Sequence, residues 1–109
     1  MPLAVKNDPT PLHTDEHGVV RIGGTRVALE QVVEPFRQGV TPEEIALRYA
    51  TLDLADVYAT VAYYLHHREP VDEYLADQAR AAETARQDHA ETLDMAALRE
   101  RLLARRDRV

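Results

Sequence analysis

The side chains best suited to recognition chemistry surround two short helical patterns in the middle of the chain. Arginine pairs with phosphate, and tyrosine and threonine hydroxyls hydrogen-bond phosphate oxygens and base edges. The candidate DNA-binding residues of these types are Arg48, Tyr58, Thr60 and Arg68. Their position predicts contact with DNA, provided that the two patterns form the helices that would present them.

A second group of candidate residues lies at the end of the chain, where an apolar stripe is followed by arginines. Met95, Leu98 and Leu102 repeat at the spacing of one helix face. Such a stripe needs a groove in a partner protein or a second copy of the chain, and both alternatives remain open. The candidate partner-binding residues are Met95, Leu98, Arg99, Leu102, Arg105 and Arg106.

The sequence lacks the residues that several kinds of catalytic chemistry require. The chain contains neither serine nor cysteine, the two commonest nucleophiles for acyl transfer. It also lacks the glycine-rich phosphate loops and the His-Glu-x-x-His zinc motif. His66 and His67 are adjacent, so on a helix they point about 100° apart and do not readily share a metal ion. We therefore expect no enzyme activity, no cofactor and no metal.

Composition and charge describe a small protein with an uneven charge distribution. The 109 residues are 45% hydrophobic and carry a net charge of −6. Residues 1–68 hold six basic and nine acidic side chains, residues 69–98 two and eight, and residues 99–109 five and two. The apolar runs are too short to span a membrane. The chain contains no cysteine, so no disulfide pattern indicates a secreted protein. These features predict a cytoplasmic protein with a basic C-terminal tip.

The first third of the chain predicts a hairpin followed by a helix. Residues 12–14 and 19–22 flank a turn that ends in Gly18, and two glycines follow them. Residues 25–27 form a further short strand or an edge. The helical stripe that follows consists of Leu29, Val32, Val33 and Phe36. Pro35 should bend or shorten this helix, and Gly39 should end it.

The central segment predicts a helix-turn-helix. Residues 41–44 form a capping box with proline at the first helical position, and this helix covers residues 42–49. After a turn at 50–52, a second helix capped by Asp53 covers residues 53–68. Its outward residues, which a helix-turn-helix offers to the DNA major groove, include Ala55, Tyr58, Ala59 and Thr60. Two packed helices of a bundle would give the same pattern, and the carboxylates of Asp53 and Asp56 oppose phosphate binding.

The remaining residues predict two further helices. One begins at Pro70 with Val71, Tyr74, Leu75 and Gln78 on its inner face, and a last one begins at Asp94. The stretch between them is rich in alanine, glutamate and arginine and has little to pack against. We therefore divide the chain into a flexible N-terminal arm at 1–11, a core at 12–79 and a helical C-terminal arm at 80–109.

Three motifs in order resemble the bacterial family known as domain of unknown function (DUF) 433. They are Gly24-Thr25-Arg26, the segment 39–45 with its Thr-Pro-Glu-Glu-Ile helix start, and the segment 52–57 with its Leu-Asp-Leu-Ala-Asp-Val start. The resemblance covers about residues 12–68, and Val20 and Ala50 stand where the family often has proline. It implies a homeodomain-like helix-turn-helix with an N-terminal β element. It also implies an antitoxin role beside a small ribonuclease of the PIN type.

Together these observations predict a mainly α protein: a homeodomain-like helix-turn-helix bundle with a short N-terminal β-hairpin and a C-terminal helical extension. Gly24, Thr25 and Arg26 would form a structural motif, with Arg26 paired to an acidic neighbour. The predicted function is a DNA-binding antitoxin that neutralises a PIN-like ribonuclease, binds operator DNA as a homodimer and does not contact a membrane. The alternative is a homodimeric protein-interaction module that does not bind DNA.

Overall fold

The computed structural model describes residues 2–107, with side chains up to residue 105, and confirms a mainly helical chain with a hairpin at its start. Over these residues the elements are β1 (Leu12–Thr14), β2 (Val20–Ile22), α1 (Leu29–Arg37), α2 (Pro42–Arg48), α3 (Leu54–His66) and α4 (Arg68–Asp107). The chain forms two compact units, Met1–Val71 and Asp72–Val109.

The hairpin turn is held by one carboxylate. Asp15 accepts hydrogen bonds from the amides of His17 (2.8 Å) and Val19 (3.0 Å) and from Nε of Arg21 (3.1 Å). The Val19 amide is the main cause that lowers the pKa of Asp15; partial desolvation raises it, and the His17 amide and the Arg21 guanidinium lower it further. Gly18 adopts a φ of 79°, which confirms the predicted left-handed glycine.

Helix α1 confirms the predicted stripe and the predicted stop. Leu29, Val32 and Val33 are buried. Pro35 lies in the last turn, so the helix ends two residues later at Arg37. Gly39 follows with a φ of 91°, the backbone conformation in which glycine has no Cβ penalty.

We expect Gly39→Ala to lower the free energy of unfolding by about 1–2 kcal/mol, because alanine disfavours positive φ. No atom of the described residues lies within 4 Å of the added Cβ, so the loss comes from the backbone alone. Gly24→Ala is the matched control: this glycine also has open space around it but no positive φ. Urea unfolding followed by circular dichroism should show Gly24→Ala at or above the wild-type midpoint. A Gly39→Ala midpoint equal to that of wild type would contradict the prediction.

Helices α2 and α3 begin where the capping residues predict. The Thr41 hydroxyl accepts from the amide of Glu44 at 3.2 Å, and Pro42 is the first helical residue. Asp53 occupies the N-cap of α3, but its side chain makes no capping hydrogen bond; its carbonyl accepts the first helical bonds from Asp56 and Val57 instead. The predicted cap position is right, and the predicted carboxylate contact is wrong.

A small core joins the hairpin to the helices of the N-terminal unit. It consists of Ile22, Val27, Val32, Ile45, Leu52, Val57 and Val61. Strand β2 and helices α1 and α2 contribute one branched side chain each, α3 contributes two, and Val27 and Leu52 come from the connecting loops. The core fixes α3 against α1 and α2 and so determines which residues of α3 face outward.

Helix α4 corrects the prediction of two separate helices. It continues from Arg68 to Asp107, so Asp94 lies in its interior rather than at an N-cap. No glycine or proline occurs between Val71 and Asp107, and alanine, glutamate, arginine and leucine favour continued helix. Val71 and Leu75 are buried, as predicted, whereas every side chain at 79–105 is exposed.

Candidate functional site

The first two turns of α3 present an exposed surface. Leu54 and Ala55 are exposed, and Tyr58 retains 46% of its accessible surface. Arg48 is exposed in the last turn of α2 and forms no ion pair with any residue that the structure describes. Two of the four candidate DNA-binding residues are therefore accessible: Arg48 at the end of α2 and Tyr58 in the second turn of α3.

Tyr58 is tied to the preceding helix by a hydrogen bond. Its hydroxyl donates to a carboxylate oxygen of Glu43 on α2. This bond raises the pKa of Tyr58 and lowers the pKa of Glu43, because it favours the neutral phenol and the ionised carboxylate. The contact orients the tyrosine ring across the α2–α3 pair, and it was not foreseen from the sequence.

We expect Glu43→Gln to shift the ionisation of Tyr58 to lower pH, because the carboxylate no longer stabilises the neutral phenol. The contribution of this bond is lost as pH rises through the raised pKa of Tyr58, and also as pH falls through the lowered pKa of Glu43. Ultraviolet titration of Tyr58, isolated by subtracting the Tyr58→Phe curve, gives the shift. Glu44→Gln on the same helix is the control and should leave the titration unchanged. Identical curves for the wild type and Glu43→Gln would contradict the contact.

The prediction that Thr60 faces outward is wrong. Thr60 is fully buried, together with Val57, Val61 and Tyr64 on the inner face of α3. Its hydroxyl donates to the Asp56 carbonyl at 2.7 Å, which satisfies the polar group and lets threonine pack like valine. Thr60 therefore cannot contact DNA in this structure.

Arg68 lies at the first residue of α4 rather than at the end of α3, which stops at His66. Its guanidinium carbon is 5.9 Å from the centre of the Tyr64 ring, and that of Arg37 is 5.5 Å from the same ring. These are cation–π distances. Arg68 is exposed and belongs to an arginine–tyrosine cluster distinct from the start of α3.

The motif Gly24-Thr25-Arg26 closes the turn after β2. The Thr25 hydroxyl donates to the Ile22 carbonyl (2.7 Å) and accepts from the Val27 amide (3.1 Å). The Arg26 carbonyl accepts from Nη1 of Arg21 at 2.7 Å. The threonine is thus the residue of the motif that fixes the backbone.

A shallow cleft of about 570 Å³ separates this motif from the start of α3. Its lining consists of Gly24, Thr25, Arg26, Thr51, Asp53 and Asp56. The prediction that Arg26 pairs with an acidic neighbour is wrong for the described residues, since its guanidinium forms no ion pair there. Because the two segments are distant in sequence, spacing alone could not reveal this cleft.

The outer side of α2 is apolar and acidic. Leu47 retains 86% of its accessible surface and lies one turn after Glu43, and Glu44 and Asp53 are exposed as well. Such a surface repels phosphate more than it attracts it. The exposed arginines on the adjoining segments are Arg26, which lines the cleft with Asp53 and Asp56, and Arg48, in the last turn of α2.

The candidate partner-binding residues lie in the C-terminal unit. Met95, Leu98 and Leu102 keep 66%, 49% and 56% of their accessible surface, and Arg99 and Arg105 are exposed. The side chain of Arg106 lies outside the described residues. Along a helix, the three apolar residues fall within about 60° of one another, so they form one exposed stripe.

These features define a mainly helical protein with an N-terminal hairpin, an exposed helix start and an exposed C-terminal helix. Residues 16–64 match the family model described as "Protein of unknown function (DUF433)", and this segment of the chain belongs to that family. No curated protein and no solved structure matches the chain. Over the described residues, no helix combines the length and the apolar character that crossing a membrane requires.

Proposed function

We propose that the protein is a DNA-binding regulator of the antitoxin type that acts as a homodimer, by binding rather than by catalysis. The observation that carries the proposal is the exposed start of α3 beside α2: Leu54, Ala55 and Tyr58 are accessible, and Arg48 forms no ion pair with a described residue. In a helix-turn-helix, the first residues of the second helix enter the major groove. A two-fold dimer would present two such helices to a palindromic operator.

The charge distribution predicts weak, salt-sensitive binding. Arg26 lines the cleft at the start of α3 and Arg48 is exposed in the last turn of α2, whereas Asp53 and Glu43 are exposed acids close to the start of α3. Phosphate contacts depend on lysine and arginine, and each contact releases bound counterions. We expect about two phosphate contacts for each protomer, from Arg48 and Arg26, fewer than a strongly basic DNA-binding domain makes.

We expect Arg48→Ala to weaken binding to DNA from upstream of the protein's own gene and to reduce the slope of log K against log salt by about one unit. A mobility-shift or anisotropy titration over several salt concentrations measures both effects. Arg86→Ala is the control, because Arg86 is an exposed arginine in the C-terminal unit. If both variants give the same slope as the wild type, Arg48 makes no phosphate contact.

The antitoxin role also requires a protein partner, expected to be a PIN-like ribonuclease. Co-expression with a small ribonuclease encoded next to this gene, followed by affinity purification and a nuclease assay, tests that part. Co-purification with loss of nuclease activity is the expected result. Separate elution with full nuclease activity would contradict the antitoxin role and would leave the proposal of DNA binding standing.

A homodimeric interaction module is the second candidate, and the exposed Leu47 favours it. This leucine lies on the same side of α2 as Glu43, on a surface better matched to a basic and apolar protein segment than to phosphate. Leu47→Asp should then abolish partner binding while leaving the fold intact. An unchanged partner complex together with a lost DNA complex would favour the first candidate.

A further inference from the structure

The C-terminal half of α4 carries a heptad seam whose charge changes sign along its length. Its residues alternate at spacings of three and four, the pattern of helices that pair along one side. We call this set the α4 seam: Asp88, Glu91, Met95, Leu98, Leu102 and Arg105. All six side chains are exposed. The seam begins with two acids, continues with three apolar residues and ends with a base.

We infer that the α4 seam binds the α4 seam of a second copy of this chain in antiparallel orientation. In that alignment Met95 of each copy packs against Leu98 of the other, and Leu102 covers the stem of Glu91. The pairing spans residues 88–105, about 27 Å of helix. It therefore buries the apolar centre of the seam in both copies.

Charge complementarity determines the orientation. Antiparallel pairing places Arg105 of each copy opposite Asp88 of the other. It also brings Asp94, beside the seam, close to Arg101 of the second copy. Parallel pairing instead places Asp88 against Asp88 and Arg105 against Arg105, and like charges facing each other are destabilising.

The same pattern favours a second copy over an unrelated partner. The acidic start and the basic end of the seam complement each other, so two identical helices satisfy both ends at once. A ribonuclease groove would have to provide a basic wall at one end and an acidic wall at the other. The inference deepens the homodimer of the proposed function and does not require DNA binding.

Sedimentation equilibrium of the full chain at micromolar concentrations, without DNA, tests the apolar centre of the seam. Leu98→Glu should weaken dimerisation by more than about tenfold, because it places a carboxylate among apolar side chains. Leu93→Glu is the matched control: Leu93 is similarly exposed but lies about 140° around the helix axis from Leu98. It should dimerise like the wild type.

Charge reversal tests the orientation. Asp88→Arg alone should weaken the dimer, and adding Arg105→Asp to the same chain should restore it, because each arginine again faces an aspartate. A double variant as weak as the single one, or a Leu98→Glu chain that dimerises like the wild type, would overturn the inference. A wild-type monomer that uses Leu98 only to bind a ribonuclease would also overturn it. Loss of DNA binding in a separate titration would leave this result unaffected.

Discussion

Ile45→Ala should lower the free energy of unfolding by about 2–5 kcal/mol, the largest effect that we expect from a single truncation in this chain. Ile45 is fully buried among core side chains from β2, α1 and α3. Its loss leaves a cavity at the centre of the α2–α3 packing. Small domains have a total stability of about 5–15 kcal/mol, so a substantial fraction of the molecules should unfold on modest heating.

Leu47→Ala is the matched control, because it removes a leucine from the same helix two residues away. Leu47 is almost fully exposed, so its truncation should change the free energy of unfolding by no more than about 0.5 kcal/mol. Urea unfolding followed by circular dichroism compares the two variants directly. Equal losses for both would mean that α2 does not bury the face that the structure assigns to it.

Ala55→Glu should weaken DNA binding by at least about tenfold, because it adds a carboxylate where the phosphates and base edges would lie. Ala55 is exposed at the second position of α3. An acidic residue in the first turn of a helix favours the helix, so the fold should be unaffected or slightly more stable. Loss of DNA binding with an unchanged melting temperature therefore identifies the contact surface.

The control for this variant is Ala81→Glu, which adds the same charge to an exposed position of α4. It changes the net charge equally and should lower DNA affinity only slightly, through long-range repulsion. If the two variants lose affinity to the same extent, total charge controls binding and α3 is not the reading helix.

The features that follow from local chemistry could be predicted from the sequence. A threonine followed by proline and two glutamates marks the start of α2, and the Thr41 hydroxyl makes the expected bond. Gly18 and Gly39 occur where the backbone needs positive φ. Each of these features depends on residues within four positions of one another, so no tertiary information was required.

The features that depend on partners distant in the sequence, or on competition between two local preferences, could not be predicted. Thr60 is polar by type, but the packing of α3 against α1 and α2 buries it, and the Asp56 carbonyl then satisfies its hydroxyl. Asp94 is a good N-cap residue, yet the uninterrupted helix-forming sequence around it keeps α4 continuous. The cleft between Arg26 and Asp53 arises only when the turn after β2 and the start of α3 are brought together.

Specific DNA binding is the central claim, and a fluorescence anisotropy titration tests it most directly. The labelled duplex covers the region upstream of the protein's own gene, a scrambled duplex of equal composition serves as comparison, and both are titrated at about 50 mM and about 150 mM salt. The proposal predicts binding to the upstream duplex about a thousandfold tighter than to the scrambled one, the lower end of the range for specific regulators. Equal affinity for the two duplexes at both salt concentrations would contradict it.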